Sequence, residues 1–187
     1  MKLPSLGTIS AVFLASEIAL VISRHSGTQN KGKDRLTLPL LWLVITLSIF
    51  AGFYCRAAFP QFRLPHPPLF YLAGLLLFVV GITIRWVAIT QLGRFFTVNV
   101  AIAEDHQLVT TGLYRYVRHP SYSGTLLTFF GFGLCLLNWV SLAVIFIPVT
   151  IAFLWRIKVE EEALKEAFGE RYQQYAVSTA RIVPGVY

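Results

Sequence analysis

Hydrophobic runs long enough to cross a bilayer dominate the sequence, with short polar stretches between them. An α-helix rises 1.5 Å per residue, so about 20 apolar residues span the roughly 30 Å hydrocarbon layer. Residues 6–23 form the first such run, broken only by Glu17. The second covers 38–59 and the third 69–90, carrying Arg56 and Arg85 respectively. A polar stretch follows over 91–120, and residues 121–155 then contain no charged residue. That last run is too long for one crossing, so the pattern predicts two short helices, 121–137 and 139–155, joined by a tight turn near Asn138. The expected fold class is all-α, a polytopic membrane protein with about five transmembrane helices. Residues 91–120 and 156–187 form its cytoplasmic region in a single domain over 1–187.

Composition strengthens this reading. Of 187 residues, 56% are hydrophobic and 13% charged, about half the charged share of a soluble domain, and the mean hydropathy is +0.64. The net charge of +7 could indicate nucleic acid, but its distribution explains it otherwise. With an external N-terminus, the segments 24–37, 91–120 and 156–187 hold twelve of the sixteen Lys and Arg, the asymmetry of the positive-inside rule. The first run has no small-x-small cleavage site and more positive charge after it than before it, so it reads as a retained helix rather than a signal peptide. Cys55 and Cys135 sit in apolar runs without metal-ligand spacing and read as small buried hydrophobes. No metal and no nucleic-acid partner is expected.

Two polar clusters carry the candidate chemistry. In the first, residues 111–124 (TGLYRYVRHPSYSG), Pro120 suits the first turn of a helix and His119 its cap. The open N–H groups of that turn favour an anion, with Tyr114 and Tyr122 close by. The plain alternative is an aromatic belt at the membrane interface with snorkelling arginines. In the second, residues 155–164, Arg156 and Glu160 stand four apart on one face of a helix continuing out of the membrane. Leu164, Phe168, Tyr172 and Tyr175 extend an apolar stripe that Gly169 interrupts. Here the plain alternative is a solvated amphipathic helix on the membrane surface. Glu17 and Arg85 occupy the cytoplasmic halves of their helices and could pair within the bundle.

The segments LGRFFTVNV (92–100), HQLVTTGLYRYVRHPSYSG (106–124) and RIKVEEEALKEAFGERYQQY (156–175), followed by Arg181 and Pro184, resemble the isoprenylcysteine carboxyl methyltransferase family over roughly the C-terminal half. That resemblance implies a membrane enzyme using S-adenosylmethionine, with S-adenosylhomocysteine as product, and a cofactor pocket on the cytoplasmic side. His106, Gln107, Leu108, Val109, Tyr114, His119, Pro120, Ser121, Tyr122 and Glu160 would line that pocket. Arg156 would face the methyl acceptor as the catalytic and substrate-binding residue. The acceptor would be a lipophilic small molecule or a lipidated partner reaching the site from the membrane lipids, most simply an isoprenylcysteine-like carboxylate. The shorter N-terminal part suggests the prokaryotic branch and its inner membrane. Three other readings stay open at this point. They are N- or O-methylation of a phospholipid or phenolic lipid, an NADPH-dependent membrane reductase, and a non-catalytic membrane subunit.

Overall fold

The computed structural model describes residues 3–23, 37–96 and 107–185. Six α-helices account for most of them: α1 (Leu6–Ser23), α2 (Thr37–Ala58), α3 (Pro67–Leu92), α4 (Pro120–Cys135), α5 (Trp139–Phe168) and α6 (Glu170–Ser178). Short 3-10 turns at Pro60–Phe62, Gly93–Phe95 and Gly112–Arg115 fill the connections, and there is no β-sheet among the described residues. Three helices, α2, α3 and α5, are long and apolar enough to cross a membrane. α1 is a shorter apolar helix. α4, with 16 residues, rises about 24 Å, less than the hydrocarbon thickness.

α3 packs against α4 over its whole length, and small residues explain how. Gly74, Gly81 and Ala88 recur every seven residues on α3, opposite Gly131 and Gly124 of the antiparallel α4. A Cβ on Gly131 would lie 2.5 Å from the Gly74 carbonyl oxygen, and one on Gly124 would lie 2.6 Å from the Arg85 amide nitrogen. Backbones approach this closely only where side chains are missing, the usual way helices associate without a hydrophobic drive inside lipid. Gly131→Ala is therefore expected to separate α3 from α4 and cost about 1–3 kcal/mol by overpacking. A thermal-unfolding shift of several degrees in detergent micelles would measure it.

At one end of the bundle, Asn138 makes the expected turn between α4 and α5. Its side chain accepts from Ser141 N (3.0 Å), capping α5, and its Nδ2 donates to the Phe59 carbonyl (2.8 Å). Leu137, next to it, adopts positive φ. α5 buries Ile145, Val149, Phe153 and Ile157 at successive four-residue steps, one stripe facing the core. The helix then continues without a break to Phe168, and Gly169, at φ 54°, turns the chain into α6. α1 is fastened to α3 by Trp86 Nε1 to Ser16 Oγ (2.8 Å) and Arg85 Nη2 to Glu17 Oε2 (2.9 Å), and the segment before it by Tyr71 OH to the Pro4 carbonyl. The start of α2, the end of α3, the start of α4 and the last third of α5 share the opposite end, where the polar residues collect.

Candidate active site

The chain enters this end through an extended segment and the turn Gly112–Arg115. Gly112 has φ +61°, and a Cβ there would meet the Gln91 side chain at 2.6 Å. Gln91 Oε1 accepts from Leu113 N (2.9 Å), so the turn is tied to the end of α3. Tyr114, 5% exposed, points inward and donates to the Ala88 carbonyl (3.3 Å). α4 then starts at Pro120, with His119 as its cap.

His119 is where the two expected clusters meet. Its ring stacks on Tyr122 (5.6 Å between centroids, 13° between planes). Its Nδ1 is 3.8 Å from Glu160 Oε2 and its Nε2 is 3.4 Å from Glu161 Oε1. Tyr122 in turn accepts from Arg156 Nε (3.1 Å), while Arg156 Nη1 donates to Thr37 Oγ1 (2.9 Å). Those two bonds set the guanidinium plane, and Arg156 is 3% exposed. Tyr122, Ser121 and Arg156 border an open cleft lined by α1, α2, α3, α4 and α5. This cleft shares Phe13, Trp42, Ile45 and Phe129 with an adjoining cavity of about 160 Å³, apolar apart from Ser10, Thr46 and Thr128, that runs on to Phe78 and Phe132.

The structure thus brings together Tyr122, His119, Glu160 and Arg156, with Pro120 and Ser121 buried beside them. Tyr114 joins them through Tyr175, whose hydroxyl donates to the Tyr114 carbonyl (2.6 Å) and whose ring packs edge-on against Tyr172. Gln107 is exposed and Leu108 and Val109 half-buried in the segment leading to the turn. Among the described residues no hydrogen bond ties those three to His119. His106 lies outside the described residues. The space before the first turn of α4, expected to be open to an anion, is partly filled by the chain itself. Arg118 N and His119 N donate to the carbonyls of Ala180 (2.8 Å) and Arg181 (3.2 Å), and Ser123 Oγ donates to Ile182 O (2.6 Å).

Glu161 is the residue that sequence reasoning missed. It is 4% exposed and receives Arg118 Nε (3.0 Å) and both Arg181 Nε (3.1 Å) and Nη2 (2.9 Å). Arg118 also reaches the carbonyls of Ala176 and Thr179, so one carboxylate ties α4's approach, α5 and the C-terminal strap into a unit. The signal was present: Ile145, Val149, Phe153 and Ile157 continue at the same four-residue step to 161. Burial alone would raise the Glu161 pKa, but His119, Arg181 and Arg118 outweigh it and hold the carboxyl down at about 2 against an ordinary 4.5. The stability this group provides is complete above pH 4.5 and is lost as pH falls from there towards 2. Thermal midpoints in micelles should decline over that window, and Glu161→Gln should remove that part of the decline.

The phenols around the site are held protonated. Burial, with Glu160 second, pushes Tyr114 well above its ordinary value; burial, then Glu161, does the same to Tyr172. Tyr175 is pushed up to about 12, again by burial first. None of the three is a proton acceptor near neutrality; they are hydrogen-bond donors and ring faces. Three buried polar atoms in this cluster lack a hydrogen-bond partner among the described residues: His119 Nε2, Glu160 Oε2 and Tyr172 OH. Native interiors satisfy nearly all such atoms, with protein, water or ligand, so these three are open to a bound water or ligand.

Fold and site together define a helical integral membrane protein in which a buried polar cluster adjoins an apolar cleft. Comparison shows what it resembles: residues 74–166 match the model described as the isoprenylcysteine carboxyl methyltransferase (ICMT) family. It is similar to protein-S-isoprenylcysteine O-methyltransferase A of Arabidopsis thaliana, 43% identical over 115 residues covering 60% of this chain and 58% of the relative. The protein-S-isoprenylcysteine O-methyltransferase of Schizosaccharomyces pombe is 37% identical over 107 residues, 56% of this chain and 45% of the relative. The solved structure of the eukaryotic intramembrane Ras methyltransferase ICMT superposes with a TM-score of 0.74 at 27% identity, covering 97% of this chain and 65% of that one. The chain therefore spans less than two thirds of the length of these relatives. The matched segment contains Arg85, Tyr114, His119, Tyr122, Arg156 and Glu160, and excludes Glu17.

Proposed function

We propose that this protein transfers the methyl group of S-adenosylmethionine to the carboxylate of a lipophilic, isoprenylcysteine-like acceptor. The observation that carries the reading is the double role of Tyr122. Its ring stacks on His119 in the polar cluster, and its hydroxyl holds Arg156 in the cleft. Two ligands, one on each side of this tyrosine, would meet across it. The same reading places the site at the cytoplasmic ends of five crossings, on the strength of the Lys and Arg distribution.

The residues present fit the cofactor. Glu160 Oε2 and Tyr172 OH, without a hydrogen-bond partner among the described residues, offer an acceptor for an ammonium or ribose hydroxyl and a further polar contact, and the rings of Tyr122 and His119 provide stacking faces. Tyr114, Pro120 and Ser121 would close the walls, and the segment His106–Val109 would contribute backbone contacts. When bound, the cofactor supplies a methyl group already activated by its sulfonium, so no metal is needed. A carboxylate acceptor is ionised near neutrality and needs no base. This suits a cluster whose Tyr114, Tyr172 and Tyr175 are protonated and whose Glu161 is committed to arginines. What remains for the protein is placement and exclusion of water. Arg156 would hold the acceptor carboxylate, its plane preset by Tyr122 and Thr37. The apolar cavity reaching Phe132 would take the hydrocarbon tail, drawn in from the bilayer between α1 and α2.

Glu160→Ala should weaken S-adenosylhomocysteine binding at least tenfold by calorimetry; unchanged affinity would remove Glu160 from the pocket. The reading as a whole is tested by incubating the purified protein in lipid nanodiscs with methyl-labelled cofactor and N-acetyl-S-farnesylcysteine. Label that alkali releases as methanol reports a methyl ester and is the expected result. Alkali-stable label on the protein's own membrane lipids would instead indicate N-methylation or ether formation.

A further inference from the structure

The cleft contains a second polar group that methyl transfer to a carboxylate does not require. Glu17 of α1 is 7% exposed and borders the same cleft as Arg156. Its Oε2 accepts from Arg85 Nη2 (2.9 Å), and Arg85 Nη1 donates to Thr125 Oγ1 (2.5 Å). Thr125 Oγ donates onward to the Ser121 carbonyl (2.8 Å), so the chain of bonds has a fixed direction. Glu17 Oε1 is buried and, like Arg85 Nε, has no hydrogen-bond partner among the described residues.

An ionisable side chain within a membrane span is costly, and functional use is the default explanation for keeping it. A purely structural pair would satisfy its own atoms; here one oxygen of the carboxylate and one nitrogen of the guanidinium are left without a partner among the described residues, at the edge of the cleft. Its position relative to Arg156 follows from α4. Arg156 is bonded to Tyr122 and Arg85 to Thr125, and these two lie one turn apart on the same helix face. Three residues rise about 4.5 Å. The Glu17–Arg85 pair therefore sits about one helical turn deeper in the bundle than the guanidinium proposed to hold the acceptor's carboxylate. A group bonded to the carbon next to that carboxylate lies within this reach. Because Glu17 is acceptor-only when ionised, it asks for a hydrogen-bond donor there. Glu17 also lies outside the segment matched by the family model, whereas Arg85, Thr125 and Arg156 lie inside it.

We propose that Glu17, oriented by Arg85 and Thr125, is a specificity-determining residue whose free oxygen accepts a hydrogen bond from an N–H borne beside the acceptor's carboxyl group. The protein thereby prefers lipidated amino-acid carboxylates to lipid carboxylates without nitrogen. This rests on the carboxyl-methylation reading above. The N–H can belong to an amide, as in a lipidated peptide end, or to the ammonium of a free S-alkylcysteine.

The test uses the purified full chain in nanodiscs and four acceptors with one tail: S-farnesylcysteine, its N-acetyl derivative, the N-acetyl-N-methyl derivative that lacks an N–H, and S-farnesylthiopropionate that lacks nitrogen. The first two are expected to exceed the last two at least tenfold in kcat/KM, mainly through KM. The same order is expected in acceptor affinities of the cofactor-free protein, read by tryptophan fluorescence. Whichever N–H acceptor leads identifies the source. In Glu17→Gln, Arg85 takes the amide oxygen and turns an NH2 towards the acceptor's N–H, so the preference should collapse below threefold. Wild-type protein that treats all four acceptors within threefold overturns the proposal and leaves carboxyl methylation standing. Failure to methylate any of the four, with S-adenosylhomocysteine still bound, overturns the carboxyl reading and this proposal with it.

Discussion

Replacing Arg156 by alanine is expected to lower turnover by about 10²–10³-fold while leaving S-adenosylhomocysteine affinity within a few fold. The size follows from losing one preorganised, water-excluded charged donor at the reacting group. The selectivity follows from where the guanidinium points. Its bonds to Tyr122 in α4 and Thr37 in α2 place it at the cleft. Arg156→Lys keeps the charge but not the planar pair of donors, and is expected to recover only part of the loss, with the deficit in kcat. Equal loss of cofactor affinity and turnover in Arg156→Ala would show that this arginine serves the polar cluster instead.

Glu161→Ala is expected to produce the largest change in stability. Removing this carboxylate leaves Arg118 and Arg181 without the charge that justifies their burial, and such one-sided deletions cost about 3–5 kcal/mol. Arg181 is the more exposed of the two, at 27% against 10% for Arg118, so the lower end of that range applies. The damage should be local first. The strap Ala180–Ile182 is held to Arg118, His119 and Ser123 by backbone and hydroxyl bonds, and loses its ionic anchor when Glu161 is gone. Limited proteolysis should cut the C-terminal region of Glu161→Ala faster than that of wild type. S-adenosylhomocysteine affinity should fall as well, because His119 is fixed between Glu160 and Glu161. A variant with unchanged melting and proteolysis would mean that the carboxylate is a bystander.

Much of this arrangement was legible in the sequence, because membrane burial writes itself as length and hydropathy. The apolar runs became α1, α2, α3, α4 and α5, the turn at Asn138 came from the excess length of 121–155, and Gly169 ends α5. Pro120 and His119 mark the start of α4 by their own backbone chemistry. What stayed hidden depends on contacts distant in sequence. Nothing local distinguishes Glu161 from Glu160 or Glu162; only the four-residue stripe from Ile145, traced past the apolar region, selects it. The pairing of Glu17 with Arg85 needed two helices to be laid side by side, and spacing gave only its possibility. The strap at 180–182 was invisible as well, because it is held mostly by backbone hydrogen bonds, which carry no residue signature. α4 is the short helix that the length of 121–155 predicts, and its close packing on α3 through paired glycines, which spacing alone does not show, holds it in the bundle.

The central claim is that one ligand on the His119–Glu160 side and another on the Arg156 side share Tyr122 as a common wall. A structure of the protein with S-adenosylhomocysteine bound tests this most directly. The account predicts density against His119, Tyr122 and Glu160, with the sulfur facing the cleft that Arg156 borders. Density at the opposite end of the bundle, or filling the cleft between Arg156 and Glu17 itself, would contradict it.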